Sequence, residues 1–406
     1  MKYTDRHINR KCGNSLLIGL LTLLMVCLSA CSSGDDDNNG NKTNQPTLLY
    51  IYLYAPQQAE STRAYEGDVN PIANESTVYS VKIWVFTHTT NKLIGYYSPT
   101  EKPNLDNTHS YELIQLTIDE DYAQTEEATR EKVDVYVVGN VTESTCNVTL
   151  DETTTREELE AVLMEKTTTT DPFGITNPVT SVPTNIGLPM TGALRNMTVK
   201  GSAPVLRLDN SGEIARVLLI RTVSKIRFAF CRQTDSETLR INSIKLNGSM
   251  IPIAEYLFMA EGAPYDRHTC HIKSASGYDA SSPELLAEPI TEVATYNNPV
   301  YFAWGNEELE PEVYEARLDA YAMAGQITQR LFYLRESNQL LQGEIKYQVG
   351  DGEEQTATFK MVDAGGFSRN HVWTVYSYLA KAKLQVVTAE VAPWKVTEDN
   401  YEFYNW

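Results

Sequence analysis

Residues 47–54 read Thr-Leu-Leu-Tyr-Ile-Tyr-Leu-Tyr, and few side-chain orders restrict a backbone more. Leu49, Ile51 and Leu53 share one parity, and Tyr50, Tyr52 and Tyr54 share the other. Successive side chains of a strand point to opposite faces, so an extended chain gathers the three aliphatics on one side and the three tyrosines on the other. A helix would scatter both sets around its axis. The stretch therefore predicts a β-strand with an aliphatic core face.

The same reasoning finds strands at Val78 to Thr87, Tyr111 to Ile118 and Val133 to Val138. One short helix is expected from Glu157 to Lys166, with Thr154 as its cap. Gly187 to Gly192 reads as a turn-rich connection. A second series begins near Ile214. It takes in Arg216 to Ile220, Lys225 to Phe230, Leu239 to Leu246, Tyr301 to Trp304, Val313 to Met323, Gln329 to Leu334, Gly343 to Val349 and Val372 to Leu379. Ala380 to Val391 is strand-like again, and the chain closes on Tyr401-Glu402-Phe403-Tyr404-Asn405-Trp406. Short strands separated by turns, with at most one or two short helices, predict an all-β chain of two β-sandwiches. The break at Leu208 to Glu213 sets the expected boundary at 212.

Ahead of the first strand, a basic stretch (Lys2, Arg6, Arg10, Lys11) precedes an apolar run from Leu16 to Leu28. That run is short for a bilayer span and suits a signal-peptide core. It ends in Leu28-Ser29-Ala30-Cys31, which resembles the bacterial lipobox, and this predicts acylation of Cys31 after removal of residues 1–30. Residues 32–41, with Asp35, Asp36 and Asp37, hold no apolar side chain and read as a solvated tether. An acidic run at this place also resembles the export signal of surface lipoproteins in Gram-negative anaerobes. The net charge of −19 argues against nucleic acid as a partner. Beyond Cys12, Cys27 and Cys31 there remain Cys146, Cys231 and Cys270. A Cys231–Cys270 bridge and three free buried thiols both stay open.

No catalytic constellation emerges. His268-Thr269-Cys270-His271 carries metal-binding side chains, but adjacent residues of an extended segment do not all reach one ion, and no second pair stands at zinc spacing. Gly365-Gly366 is a turn, not a phosphate loop. An enzyme, a metal centre and a cofactor are therefore not expected.

The order of these features resembles the type V pilins, or fimbrillins, of Gram-negative anaerobes. Thr62-Arg63-Ala64-Tyr65-Glu66-Gly67-Asp68 is similar to the fimbrillin processing junction, and Val81-Lys82-Ile83-Trp84-Val85-Phe86 to the core strand after it. Tyr136-Val137-Val138-Gly139-Asn140 resembles a family strand end, with Gly139 where alanine is usual. Leu188-Pro189-Met190-Thr191-Gly192, Arg221 with Ser224-Lys225-Ile226-Arg227, Ser368-Arg369-Asn370-His371, Val391-Ala392-Pro393-Trp394 and the terminal Trp406 resemble further family segments in their family order.

The resemblance implies two transthyretin-like sandwiches in tandem. Residues 1–30 would be the leader, 31–63 a lipidated tether with a removable strand, 64–212 the first sandwich and 213–406 the second. It also implies a mechanism. The precursor passes the periplasm as a lipoprotein to the outer membrane. An arginine-specific protease then cuts Arg63-Ala64, the strand carrying Leu49, Ile51 and Leu53 leaves, and a strand from another copy or a related subunit fills the groove. Loss of residues 1–63 removes six basic and five acidic side chains, which takes the charge to −20. The donor would be the tail, about 380–406, with Leu384, Val386, Trp394 and Val396 as anchors. The competing expectation is that the tail completes its own sandwich. A shaft subunit of a fimbrium supporting adhesion is thus expected. The alternatives are a tip or accessory subunit with an adhesin role, and a permanent surface lipoprotein that binds a glycan receptor through exposed aromatics.

Overall fold

The computed structural model describes residues 45–56, 75–106, 109–146, 148–165, 182–259, 277–296, 324–360, 367–388 and 392–393. From Pro46 onward they belong to one body. The expected strands at Tyr301 to Trp304 and Val313 to Met323 lie outside them, as do the His268 to His271 run and Gly365-Gly366.

The alternation at the start of the chain is realised as β1 (Leu48–Tyr54). The strands that follow are β2 (Val81–Thr87), β3 (Leu93–Tyr97), β4 (Tyr111–Thr117), β5 (Val133–Gly139), β6 (Leu163–Glu165), β7 (Met190–Ser202) and β8 (Val205–Asn210). The next three are short: β9 (Glu213–Ile214), β10 (Arg216–Leu218) and β11 (Ile220–Arg221). Long β7 ties two layers together. Its first part pairs β5, its last part pairs β8, and between them Asn196 takes a left-handed φ of 58° where the register shifts. One layer runs β3-β2-β5-β7, and the other holds β4, β1, β8 and β10. Their inner faces share one core of Leu49, Ile51, Leu53, Ile114, Leu116, Leu206 and Val217 with Ile83, Val85, Val133, Val135 and Val137.

β5 is buried along its whole length because its other face is also covered. There Trp84, Phe86, Tyr136 and Val138 meet Leu159, Met164, Leu257 and Phe258. The covering helix is Arg156–Ala161, and its cap is Thr155, not Thr154. Thr155 accepts from Glu158 N, and Glu158 Oε2 accepts from Thr155 N at 2.8 Å, a reciprocal capping box. The helix also stops short of Lys166. Leu163 to Glu165 instead form β6, antiparallel to β14 (Ala254–Tyr256), because that pairing satisfies their backbone groups at the sheet edge. Further short helices occur at Glu120–Gln124 and Glu143–Cys146.

The second half opens with β12 (Val223–Arg232) and β13 (Leu239–Leu246) and continues after β14 with β15 (Thr328–Arg335), β16 (Gln342–Val349) and β17 (Gln355–Lys360). It closes with β18 (His371–Ala380), β19 (Lys383–Thr388) and β20 (Ala392–Pro393). β12 sits between antiparallel β15 and parallel β18, while β13, β16 and β17 form a separate sheet. Phe228, Phe230, Ile244, Ile345, Phe359 and Trp373 fill the space between.

Strand pairing moves the expected boundary. Their place after the turn puts residues 213–221 in the expected second sandwich. In the fold β10 lies parallel to β1, and β11 pairs β7. Ala215, Val217 and Leu219 are core residues of the first half. The change of sheet falls between Arg221 and Val223.

Asn140 closes the end of β5. Its φ is 60°, its Oδ1 accepts from Tyr79 N at 2.7 Å, and its Nδ2 donates to Thr77 O at 2.8 Å and Leu188 O at 2.9 Å. Gly187, at φ 77°, leaves room for it, since a Cβ there would lie 2.4 Å from Asn140 Nδ2. Asn140→Ala removes these three bonds and a longer one from Ser80 N at 3.4 Å, and takes a donor away from two buried carbonyls. A loss of about 2–3 kcal/mol is expected, read as a lower urea midpoint at unchanged slope. A loss below about 0.5 kcal/mol, the range of ordinary surface substitutions, would mean that water replaces the amide fully.

Candidate functional site

β1 is an internal strand. All of it pairs antiparallel to β4, while its other edge runs parallel to β8 through Leu48–Tyr50 and parallel to β10 through Tyr52–Tyr54. Bonds from Leu48 N to Pro204 O (3.0 Å), Tyr52 N to Ala215 O (3.1 Å) and Leu219 N to Tyr54 O (2.9 Å) complete the parallel side. Leu49, Ile51 and Leu53 are at most 1% exposed, so the aliphatic face read from the sequence is wholly inside. Every wall of this slot comes from residues after Pro56 in the chain.

The outward face is aromatic. Tyr111 stacks on Tyr54 at 5.4 Å and meets Tyr52 edge-on at 5.8 Å, and Arg216 lies 5.9 Å from the Tyr54 ring. Burial raises the Tyr54 phenol above its ordinary pKa. Tyr111 keeps 56% of its surface exposed.

At the exit of β1 the chain meets a buried polar junction that sequence reading left unassigned. Arg221 Nη2 donates to Pro56 O at 3.3 Å and to Ser76 Oγ at 2.8 Å, its Nε to Glu75 O at 3.0 Å, and its Nη1 to Asn370 Oδ1 at 3.1 Å. Lys225 Nζ lies 3.0 Å from Glu75 Oε1, and Tyr333 Oη donates to the same oxygen at 2.5 Å. Arg221, Glu75 and Asn370 are fully buried. Burial alone would raise the Glu75 pKa, but Lys225, Arg221 and the Tyr333 bond outweigh it and hold the carboxyl below its usual range. A signal is present: Arg221, Lys225 and Arg227 share one parity with Val223 in a stretch that runs on into Phe228-Ala229-Phe230, which marks cations within a buried strand. Their partners lie far off in sequence and carry no local pattern.

A second buried pair braces the late strands. Arg369 donates to Glu336 from Nε at 2.9 Å and Nη2 at 2.6 Å, and to Leu257 O from Nη1 at 2.9 Å. Glu255 stands beside it; burial and the neighbouring Glu336 carboxylate raise its pKa well above the ordinary value.

Of the predicted site residues, the structure places Leu49, Ile51 and Leu53 together in one slot. Cys31, Arg63, Ala64, Trp394 and Val396 lie outside the described residues. Leu384 and Val386 do not extend away from the body. β19 folds back on β18 through Lys381 and Ala382, both at left-handed φ, and Leu384 is buried in the second core with Val386 packed against it. The hairpin gives these two residues a core partner in their own sandwich. Cys146 and Cys231 are buried free thiols, Cys231 lying 3.0 Å from Tyr376 Oη. Burial pushes the Cys231 thiol up to about 11, so it is a packing residue rather than a reactive one. Among the described residues no His, Cys, Asp and Glu group is arranged to hold a metal ion.

No protein-family model and no curated protein matches the chain. Solved structures do. The tip fimbrial protein Mfa3 from Porphyromonas gingivalis, with a C-terminal truncation, is 12% identical at a TM-score of 0.47, covering 86% of this chain and all of that one (100%). A fimbrial assembly protein from Parabacteroides distasonis is 14% identical at 0.38, covering 86% and 98%. The fimbrial anchor protein Mfa2 from Porphyromonas gingivalis is 8% identical at 0.34, again over 86% and 98%. These likenesses, at TM-scores below 0.5, describe what the chain is similar to.

Proposed function

We propose that this chain is a subunit of a surface fimbrium, delivered to the outer membrane as a lipoprotein through Cys31 and activated by cleavage of Arg63-Ala64. Polymerisation then follows by strand exchange in the slot that β1 leaves. The observation that carries the reading is the covalent placement of β1. It is an internal strand with both edges paired and three side chains in the core, yet all its partners lie downstream of residue 56. One cut between 57 and 74 therefore severs its covalent link to the body without breaking any other described strand. The vacated slot offers two rows of unpaired backbone groups and an apolar floor, a site for β-augmentation by an extended segment.

With Leu384 buried in the second core and Val386 packed against it, the donor segment in this reading is 394–406 of another copy. Deleting 394–406 should leave a folded, processed monomer, and fibres from that truncation would place the donor elsewhere. The N-terminal residue of protein isolated from cells tests the activation step. Ala64 in polymer and lipidated Cys31 in precursor are expected, with Cys31→Ala abolishing fatty-acid labelling and Arg63→Ala abolishing assembly. Normal polymer from Arg63→Ala sinks the model. The Tyr52, Tyr54 and Tyr111 face supports the second reading, a permanent lipoprotein that holds a glycan on aromatic rings. It keeps Cys31 as the N terminus in every form.

A further inference from the structure

We propose that Arg221 is the positioning residue that retains β1 after its connection to the body is cut, so that proteolysis alone does not empty the slot. The proposal rests on β1 being a strand that leaves, but it does not depend on which bond is cut.

Two segments meet on one nitrogen. Arg221 Nη2 holds Pro56 O at 3.3 Å, directly after β1, and Ser76 Oγ at 2.8 Å, shortly before β2. The same guanidinium reaches Asn370 of the second half through Nη1 at 3.1 Å. Asn370 is itself fixed, its N donating to Val223 O at 2.8 Å. Lys225 and Tyr333 hold the Glu75 carboxylate, so the group that receives the chain at residue 75 is anchored to the second half as well. A cut anywhere in residues 57–74 leaves every one of these contacts in place. Pro56 is buried, and Arg221 is fully so. Release of β1 must therefore take an acceptor away from a fully buried guanidinium. That step comes on top of breaking the strand ladder, and it is made at the joint between the two sheets. An incoming segment that supplies a carbonyl at the position of Pro56 restores the contact, whereas a vacated slot does not. This favours concerted replacement over an empty intermediate.

The test uses the full chain with a recognition sequence for a site-specific protease placed within residues 60–69, so that natural processing at Arg63 plays no part. After nicking under native conditions, the N-terminal fragment is followed by size exclusion and mass spectrometry. Wild type should retain it, and Arg221→Ala should lose it about 10- to 100-fold faster, the worth of one hydrogen bond to a charged group. Arg221→Lys should recover part of the retention. A second measurement leaves the body unaltered and covers the case in which Arg221→Ala folds poorly. Nicked wild type is chased with labelled peptides 46–55 as the C-terminal pyrrolidine amide and 46–56 as the primary amide, which share the buried ring at position 56 and differ in whether they carry the Pro56 carbonyl. The peptide with the carbonyl should be held at least about tenfold longer, and a merely structural role for Arg221 predicts no such difference. Equal release rates, including no release from either variant, or equal retention of the two peptides, would overturn the proposal. An N terminus at Cys31 in every form isolated from cells would instead sink the fimbrial reading and leave these measurements untouched.

Discussion

Ile51→Ala will cost the unprocessed chain about 2–5 kcal/mol, the range for removing most of a buried branched side chain and leaving a cavity. Ile51 sits at the middle of β1 with 1% of its surface exposed, between Ile114 across the antiparallel pair and the core strands of the opposite layer. Both edges of β1 are held by hydrogen bonds, so the backbone has little freedom to collapse into the void. Tyr52→Ala, one residue on and facing outward, should cost less, because that ring is only half-buried and lies against Tyr54 and Tyr111. Urea unfolding of the full chain reads both, and a loss for Ile51→Ala no larger than for Tyr52→Ala would deny that the inward face carries the strand. The proposed function adds a distinction that stability alone lacks. If β1 is absent from the polymer, Ile51→Ala weakens and activates the precursor faster, yet the assembled fibre has wild-type resistance to denaturant. A weakened fibre would mean that β1 stays in place.

That strand was readable because its evidence is local. A period of two over Leu49, Ile51 and Leu53 needs no partner to be recognised, and the structure buries all three. β10 was readable as a strand and unreadable as a neighbour. Its parallel pairing with Tyr52–Tyr54 joins segments far apart in the chain, and periodicity is silent on which strand lies alongside which. The tail is ambiguous in the same way. Leu384 and Val386 alternate as a donor strand would, but a hairpin with Val375–Ala380 satisfies the same pattern. At residues 163–165 an apolar run after a helix continued the helical reading, and only the edge of β14 decides for a strand. The Arg221 junction shows the limit most plainly. Cations in an apolar strand announce that something buried must answer them, and Glu75 and Asn370 answer from about 150 residues away, a separation with no local pattern to read.

Breaking that junction on its other cation gives the second large effect expected. Lys225→Met will cost about 3–5 kcal/mol at neutral pH, because it leaves the Glu75 carboxylate buried without the ammonium 3.0 Å away. The pH dependence should also change. In the wild type the Glu75 pKa is lowered, so its contribution is fully present above the ordinary carboxylate pKa, about 4.3, and is lost as pH falls through the lower folded value. Without Lys225 the effect of burial loses its largest opponent and the folded pKa rises. Acidification then protonates a carboxyl that the fold no longer favours charged, and the deficit of the variant against wild type should shrink toward pH 4. The Arg221 guanidinium still faces the residue, its Nε on the Glu75 carbonyl, and Tyr333 still donates to the carboxylate, so the recovery is partial. Adding Glu75→Gln to Lys225→Met removes the stranded charge altogether. The double variant should therefore be more stable at neutral pH than Lys225→Met alone, with a coupling of about 1–3 kcal/mol in the double-mutant cycle. Thermal and urea unfolding between pH 4 and 8 measure all four corners. If the deficit of Lys225→Met is constant across that range and the two substitutions simply add, Glu75 is not held as an anion, and the joint between the sheets rests on its hydrogen bonds and packing alone.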